Sequence, residues 1–336
     1  MAATASVAAF ASASYASLAC AGALVPVGAS VGASCAGPAG RLRAVATRAR
    51  SKSIVYMNRL LLEPAECTTR PDGQLVAELG PDDRRTLHVA DVLRAADGSL
   101  LRAGVLDAGA TDVAVARWIG HRASSKPSLE LNMGPAARLL QPLDLAARPQ
   151  VDLVLAMPRP LALGRLIPVI ASMGVGTLWI TGTLWIPGAR RVDKSYFASH
   201  LLKVGNEAAL RAALIEGLEQ AGDTAVPRVI VRRNLKRLLS EELAAAGAQP
   251  CVKLVCHPQR ENEPMALRLG ELPPVPHGSR LLLAVGPEGG WDEPGELDTF
   301  GQHGFEQVTL GPRTLRTETA TIALLALAHD RLQRRA

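Results

Sequence analysis

Two glycine-rich segments near the carboxyl end hold the residue types best suited to chemistry. One reads Val285–Gly286–Pro287–Glu288–Gly289–Gly290–Trp291. The other reads Leu310–Gly311–Pro312–Arg313–Thr314–Leu315–Arg316–Thr317–Glu318–Thr319–Ala320. Each follows a short apolar run that reads as a strand, 281–285 and 307–310, and the second leads into a helical stretch over 317–335. Glycine at a strand exit lets backbone N–H and C=O groups come close to a ligand. Open α/β sheets bind ligands outside the carboxyl ends of their strands. Neither segment has the G-x-G-x-x-G or Walker A spacing, so the usual dinucleotide and nucleoside-triphosphate fingerprints do not apply. Read singly, the first is a turn, and Thr317–Glu318–Thr319 is a helix N-cap with an acid in its first turn. Two such exits within the last sixty residues point to one ligand site.

Arg316 stands at a helix start, where the dipole disfavours a cation, which gives weight to a role at the ligand. Glu288 and Glu318 are candidates for taking up a proton or for holding Arg316, with a structural use equally open. The residues themselves assign no general base. Cys251, Cys256 and His257 form a C-x4-C-H run without a partner pair, a weak metal signal, and read as a strand with buried cysteines. The basic run Arg232–Arg233–Asn234–Leu235–Lys236–Arg237 reads either as a solvated helix face or as an RNA-backbone contact. Trp179 and Trp185 read as core.

These segments need a scaffold, and the rhythm of the chain from 151 onward supplies one. Continuous or β-rich apolar runs at 151–157, 177–181, 229–232, 252–256, 281–285 and 307–310 alternate with helical patterns at 161–173, 206–221, 234–246, 293–303 and 317–335. In 206–221, Asn206 reads as N-cap, with Ala209, Leu210, Ala213, Leu214 and Leu218 on one face. Alternation of this kind predicts a mainly parallel α/β sheet with helices on both faces. Residues 54–125 differ. Short apolar stretches separated by Pro71–Asp72–Gly73, Gly80–Pro81–Asp82, Asp97–Gly98 and Gly109 predict a small β domain, a meander or barrel. Residues 126–149 read as a last strand around 129–131 plus a linker, and 150–336 as the second domain.

Composition bounds the function. Of 336 residues, 48% are apolar and 20% charged, enough for a sizeable core and unlike a disordered tail. Aromatics at 3% argue against an aromatic stacking platform as the main binding device. Five widely spaced cysteines do not make a disulfide scaffold. No run reaches the ~18 apolar residues of a membrane span. Residues 1–50 stand apart, with 18 alanines, no acidic residue, and arginine only at Arg41, Arg43, Arg48 and Arg50. That composition reads as an unstructured organelle transit peptide, with a secretory signal as the alternative. Chloroplast ranks ahead of mitochondrion because the arginines are confined to the end. Without this leader the chain has 33 basic and 31 acidic side chains, so global charge is no argument for nucleic-acid binding.

At the two glycine-rich segments the sequence resembles the ribosomal RNA small-subunit methyltransferase E (RsmE) family of the SPOUT class. Asn58–Arg59–Leu60 and His88–Val89–Ala90–Asp91–Val92–Leu93–Arg94 resemble that family's PUA-like domain, and the likeness spans roughly 55–335. It implies a homodimer with a trefoil-knotted carboxyl-terminal domain that uses S-adenosylmethionine (SAM), without a metal, to methylate N3 of a uridine. The implied partner is small-subunit ribosomal RNA or the assembled small subunit, with no membrane. On this resemblance Val285, Gly286, Pro287, Gly289, Gly290, Leu310, Gly311, Leu315, Thr317 and Ala320 hold the cofactor. Arg316, Glu318 and Glu288 are the catalytic candidates. Arg59, Arg84, Arg85, His88 and Arg94 are the RNA-facing candidates. The chain departs from the family pattern in its middle. Ala171–Ser172–Met173–Gly174–Val175 stands where Glu-Leu-Gly-Val is common, Ala221–Gly222–Asp223–Thr224 follows the Glu219–Gln220 pair, and Lys194–Ser195–Tyr196–Phe197 resembles a divergent branch. A non-catalytic RNA-binding or assembly factor with the same fold is the alternative function.

Overall fold

Seven parallel strands carry the carboxyl-terminal half. In the computed structural model, β7 (Val151–Ala156), β8 (Val175–Thr181), β9 (Arg228–Arg232), β10 (Cys251–Cys256), β11 (Leu267–Arg268), β12 (Arg280–Val285) and β13 (Phe305–Thr309) lie in the order β11-β13-β10-β12-β7-β8-β9. Every pairing in this sheet is parallel. The structure describes residues 58–333 except 121–126, 145–146, 185–191, 244–250, 260–265, 274 and 277. The leader expected at 1–50 and Trp185 therefore lie outside the described residues.

The central strands are apolar runs because neither face meets water. All six residues of β7 are buried, as are five of six in β12. The one charge in β7 is compensated: buried Asp152 accepts two 2.7 Å bonds from Arg280 and one from the Thr177 backbone N–H. Three strands are thus pinned together at their amino-terminal ends. Four long helices accompany the sheet: α1 (Pro160–Ser172), α2 (Glu207–Ala221), α3 (Gly295–Gln302) and α4 (Thr317–Gln333). They match the helical patterns within two residues at each end. Asn206 precedes α2 as expected but does not cap it; its side-chain amide donates to the His200 carbonyl instead.

One helix changes pitch. The pattern over 234–246 predicts a continuous helix. The structure has a three-residue helix, Leu235–Arg237, running into a wide π turn at Leu238–Glu242. Asn234 does cap it, accepting from the Arg237 N–H.

The amino-terminal half is a six-stranded sheet of β1 (Leu60–Leu62), β2 (Cys67–Thr69), β3 (Gln74–Leu79), β4 (Leu100–Val105), β5 (Ala110–Ile119) and β6 (Ser128–Pro135), ordered β1-β4-β5-β6-β3-β2. Pairing is antiparallel except between β1 and β4. Period-two burial puts Leu75, Ala77 and Leu79 of β3 and Leu129, Leu131 and Met133 of β6 into one core. β6, the last strand of this sheet in chain order and the one expected around 129–131, lies between β5 and β3 in its interior.

Candidate cofactor site

Parallel register brings the reactive segments together. β10 pairs with both β12 and β13, Cys256 standing beside Val285 on one side and Val308 on the other. The chain therefore leaves three adjacent strands at the same edge. Their exits enclose a cavity of about 560 Å³, a size suited to a nucleoside-bearing small molecule. All ten residues expected to hold a cofactor line it, and so does Glu288.

The first exit is a tight, anchored turn. Gly290, at φ +78°, donates to the Pro287 carbonyl at 2.8 Å. A Cβ on Gly286 would stand 3.1 Å from the Trp291 backbone nitrogen, so a side chain there would push back the turn that closes over its own start. Trp291 is buried edge-on against Phe300, ring centroids 4.8 Å apart, and fixes the far end. The second exit turns at Gly311, φ +111°, a conformation glycine adopts readily and L side chains rarely do. Its N–H and C=O both bond the Thr309 hydroxyl. Thr317 lines the cavity, but its hydroxyl donates to the Gly286 carbonyl and ties α4 to the first exit.

The catalytic candidates separate. Glu288 pairs with Arg159 at 2.8 Å, not with Arg316. Arg316 is exposed beside the cavity lining, and its carbonyl accepts the first α4 bond from Ala320. Among the described residues no side-chain hydrogen bond or ion pair engages Arg316 or Glu318.

The third exit escaped the sequence reading. Cys256, His257 and Pro258 line the same cavity. Burial pushes the Cys256 thiol up to about 11, so it stays protonated at neutral pH. His257 is buried, its Nε2 2.5 Å from Glu293, with no partner for Nδ1 among the described residues. The available signal was position: His257 follows directly on the strand that the two glycine-rich exits flank. Glu296 was also missed. Its buried carboxylate accepts from Asp292 N–H at 2.9 Å and Leu184 N–H at 2.5 Å, joining the first exit to the end of β8. Burial raises its pKa.

The RNA-facing candidates of the small domain divide by burial. Arg59 is 7% exposed and spends four N–H donors on Gly222, Ala103 and Thr111 carbonyls and on Asp112. Desolvation lowers its pKa. Arg85 is clasped by Glu66 and Asp83 and donates to the Leu61 carbonyl. Arg84 reaches across to Glu219 with two bonds, 3.0 and 2.8 Å. Arg59 and Arg84 thus join the small sheet to α2 and the residues just after it, Arg84 with its side chain 65% exposed, and Arg85 braces the small sheet from within. Arg94 is exposed, at φ +49°, and His88 is half-buried.

Comparison with known proteins agrees with this architecture. The family described as an RNA methyltransferase domain matches residues 146–329. The ribosomal RNA small subunit methyltransferase E of Treponema pallidum is 30% identical over 247 residues, 73% of this chain and 82% of that protein. Among solved structures, a ribosomal RNA small subunit methyltransferase E from Neisseria gonorrhoeae bound to S-adenosyl methionine superposes with TM-score 0.53 at 22% identity, covering 81% of this chain and 96% of that one. A Legionella pneumophila protein solved with bound SAM gives 0.55 at 22% identity, over 82% and 98%. On the Treponema relative and the family match, this chain belongs to the ribosomal RNA small-subunit methyltransferase E family.

Proposed function

We propose that the chain methylates N3 of a uridine in small-subunit ribosomal RNA, with SAM as donor. The observation that carries this reading is the single cavity formed by the two glycine-rich exits. Its turns are held by backbone and threonine bonds, and its walls combine Val285, Leu310, Leu315 and Ala320 with peptide groups. An adenosine needs such an apolar slot with fixed backbone partners. When bound, SAM supplies a methyl already activated on sulfur; the C–S bond breaks as the N3–C bond forms, and the N3 proton leaves. The protein's part is to bind and orient. Arg316, unpaired beside the cavity, is suited to offset negative charge developing on the uracil or to grip a phosphate.

The small sheet is assigned the sequence-independent RNA grip of a PUA-like domain, with Arg94 and Arg84 among its exposed cations. We assign the active form to a homodimer, with the knotted topology of the SPOUT class. Ile322 and Leu327 of α4 are 41% and 42% exposed while Leu324, Leu325 and Ala328 are fully buried, so among the described residues one face of an apolar helix lacks cover. The acid-free leader supports a chloroplast address. The test is to incubate the protein with labelled SAM and organellar small-subunit RNA, then digest and identify the nucleoside. Labelled N3-methyluridine is expected. Label on a ribose or another base rejects the N3 assignment, and no incorporation with SAM bound favours the assembly-factor alternative.

A further inference from the structure

A second cavity, about 470 Å³, shares Pro287, Glu288 and Gly289 with the cofactor cavity. Its other walls come from residues the cofactor site does not use: Met157, Pro158 and Arg159 at the exit of β7, then Val192 and Tyr196. The Met157 N–H bond to the Thr181 carbonyl continues the β7–β8 ladder up to this exit, and Arg159 precedes the first turn of α1. We propose that this cavity receives the pyrimidine to be methylated, with Tyr196 as its ring platform and the Arg159–Glu288 pair reading its edge. The inference rests on the methyltransferase reading and adds to it the subsite for the target nucleotide.

Four observations carry it. The two cavities share Pro287, Glu288 and Gly289 in their linings, so a base in one lies directly beside a donor in the other. The walls suit a flat, half-polar ring. Met157, Pro158 and Val192 are apolar, and half-buried Tyr196 is one of the lining residues; single-stranded bases stack on tyrosine rings. Arg159 and Glu288 stand 2.8 Å apart, with side chains 66% and 41% exposed. An ion pair that open contributes little to stability. It does offer a donor and an acceptor side by side, which the O4 and N3–H of a uracil edge require. Finally, the surroundings are basic. Lys194 is exposed on the same turn as Tyr196, and the Arg233 guanidinium lies 5.4 Å from the ring centre of the neighbouring Phe197. These cations suit flanking phosphates, with Asp193 committed to the Ser195 N–H.

The direct test is a photocrosslink on the wild-type full chain. Small-subunit ribosomal RNA carrying 4-thiouridine is irradiated with the protein, and crosslinked peptides are mapped. Attachment at Tyr196 or within 157–159 is expected; crosslinks confined to other parts of the chain overturn the proposal. The kinetic test compares Tyr196→Ala, Tyr196→Phe and Arg159→Ala. For Tyr196→Ala, kcat/KM for RNA should fall about tenfold or more, Tyr196→Phe should recover most of it, and SAM affinity should stay within twofold. SAM affinity falling in step with kcat/KM would assign the cavity to the cofactor, and a changed oligomeric state with unchanged RNA kinetics would assign it to a second copy of the chain. Either result rejects the proposal. A wild-type protein that transfers no methyl to RNA overturns the parent reading instead, while the crosslink still reports on the cavity.

Discussion

Arginine serves opposite ends in the two halves of the molecule. In the small sheet domain Arg59 and Arg85 have most of their donors taken by carboxylates and carbonyls, while Arg84, its side chain 65% exposed, spends two on Glu219. At the rim of the cofactor cavity Arg316 is exposed and unpaired among the described residues. A guanidinium whose donors are consumed at a buried seam contributes to assembly and has little left for a phosphate. One held at a helix start without a partner is electrostatically ill-placed until a negative group arrives. The difference shows that a basic residue in an RNA-modifying fold is to be judged by what already occupies its donors.

The comparison breaks first at Arg316. Arg316→Ala should lower the methylation rate by about 10²–10³ with SAM affinity nearly unchanged; a drop under threefold returns it to a solvated side chain. Arg59→Ala should act on folding instead. It strands three carbonyl acceptors at a partly buried seam and should cost about 3 kcal/mol in denaturant titration. A loss below about 1 kcal/mol would remove Arg59 from the structural class.

A smaller effect follows from Arg85. Its hydrogen bonds hold the Glu66 and Asp83 carboxyls below their ordinary values. A depressed folded-state pKa contributes stability that is complete above the unfolded value, near pH 4, and is lost as pH falls through the folded one. The thermal midpoint of the full chain should therefore decline below about pH 4 from this source, with a shallower acid limb in Arg85→Ala. Equal acid limbs would contradict the clasp. The smallest effect is at Arg94. Arg94→Ala should weaken RNA binding a few-fold and flatten the dependence of log K on log salt by about 0.7–0.9, leaving SAM binding intact. Arg84→Ala, by contrast, should loosen the domain seam before it affects RNA.

What the sequence made legible follows the same division. Strands buried on both faces, such as β7 and β12, announce themselves as apolar runs, and the glycine-rich exits carry their purpose in local backbone demands at Gly286 and Gly311. Long-range partnerships are silent. Nothing near Arg59 in the chain indicates that its donors end on Gly222, 163 residues away, and β1 beside β4 is a pairing no local pattern encodes. The wide turn at Leu238–Glu242 shares its spacing with an ordinary helix. His257 was passed over with a weak C-x4-C-H run read as plain strand, whereas its place at the exit of β10 is what brings it to the cavity.

The central claim is that the exits at Gly286 and Gly311 form the SAM site, and calorimetric titration of SAM into the wild-type chain and Gly311→Val tests it most directly. Valine at φ +111° strains the second exit and puts a side chain at the cavity lining. The account predicts saturable binding by wild type and none by the variant, with the amino-terminal sheet still folded by circular dichroism. Equal binding by both proteins, or none by wild type, would contradict it.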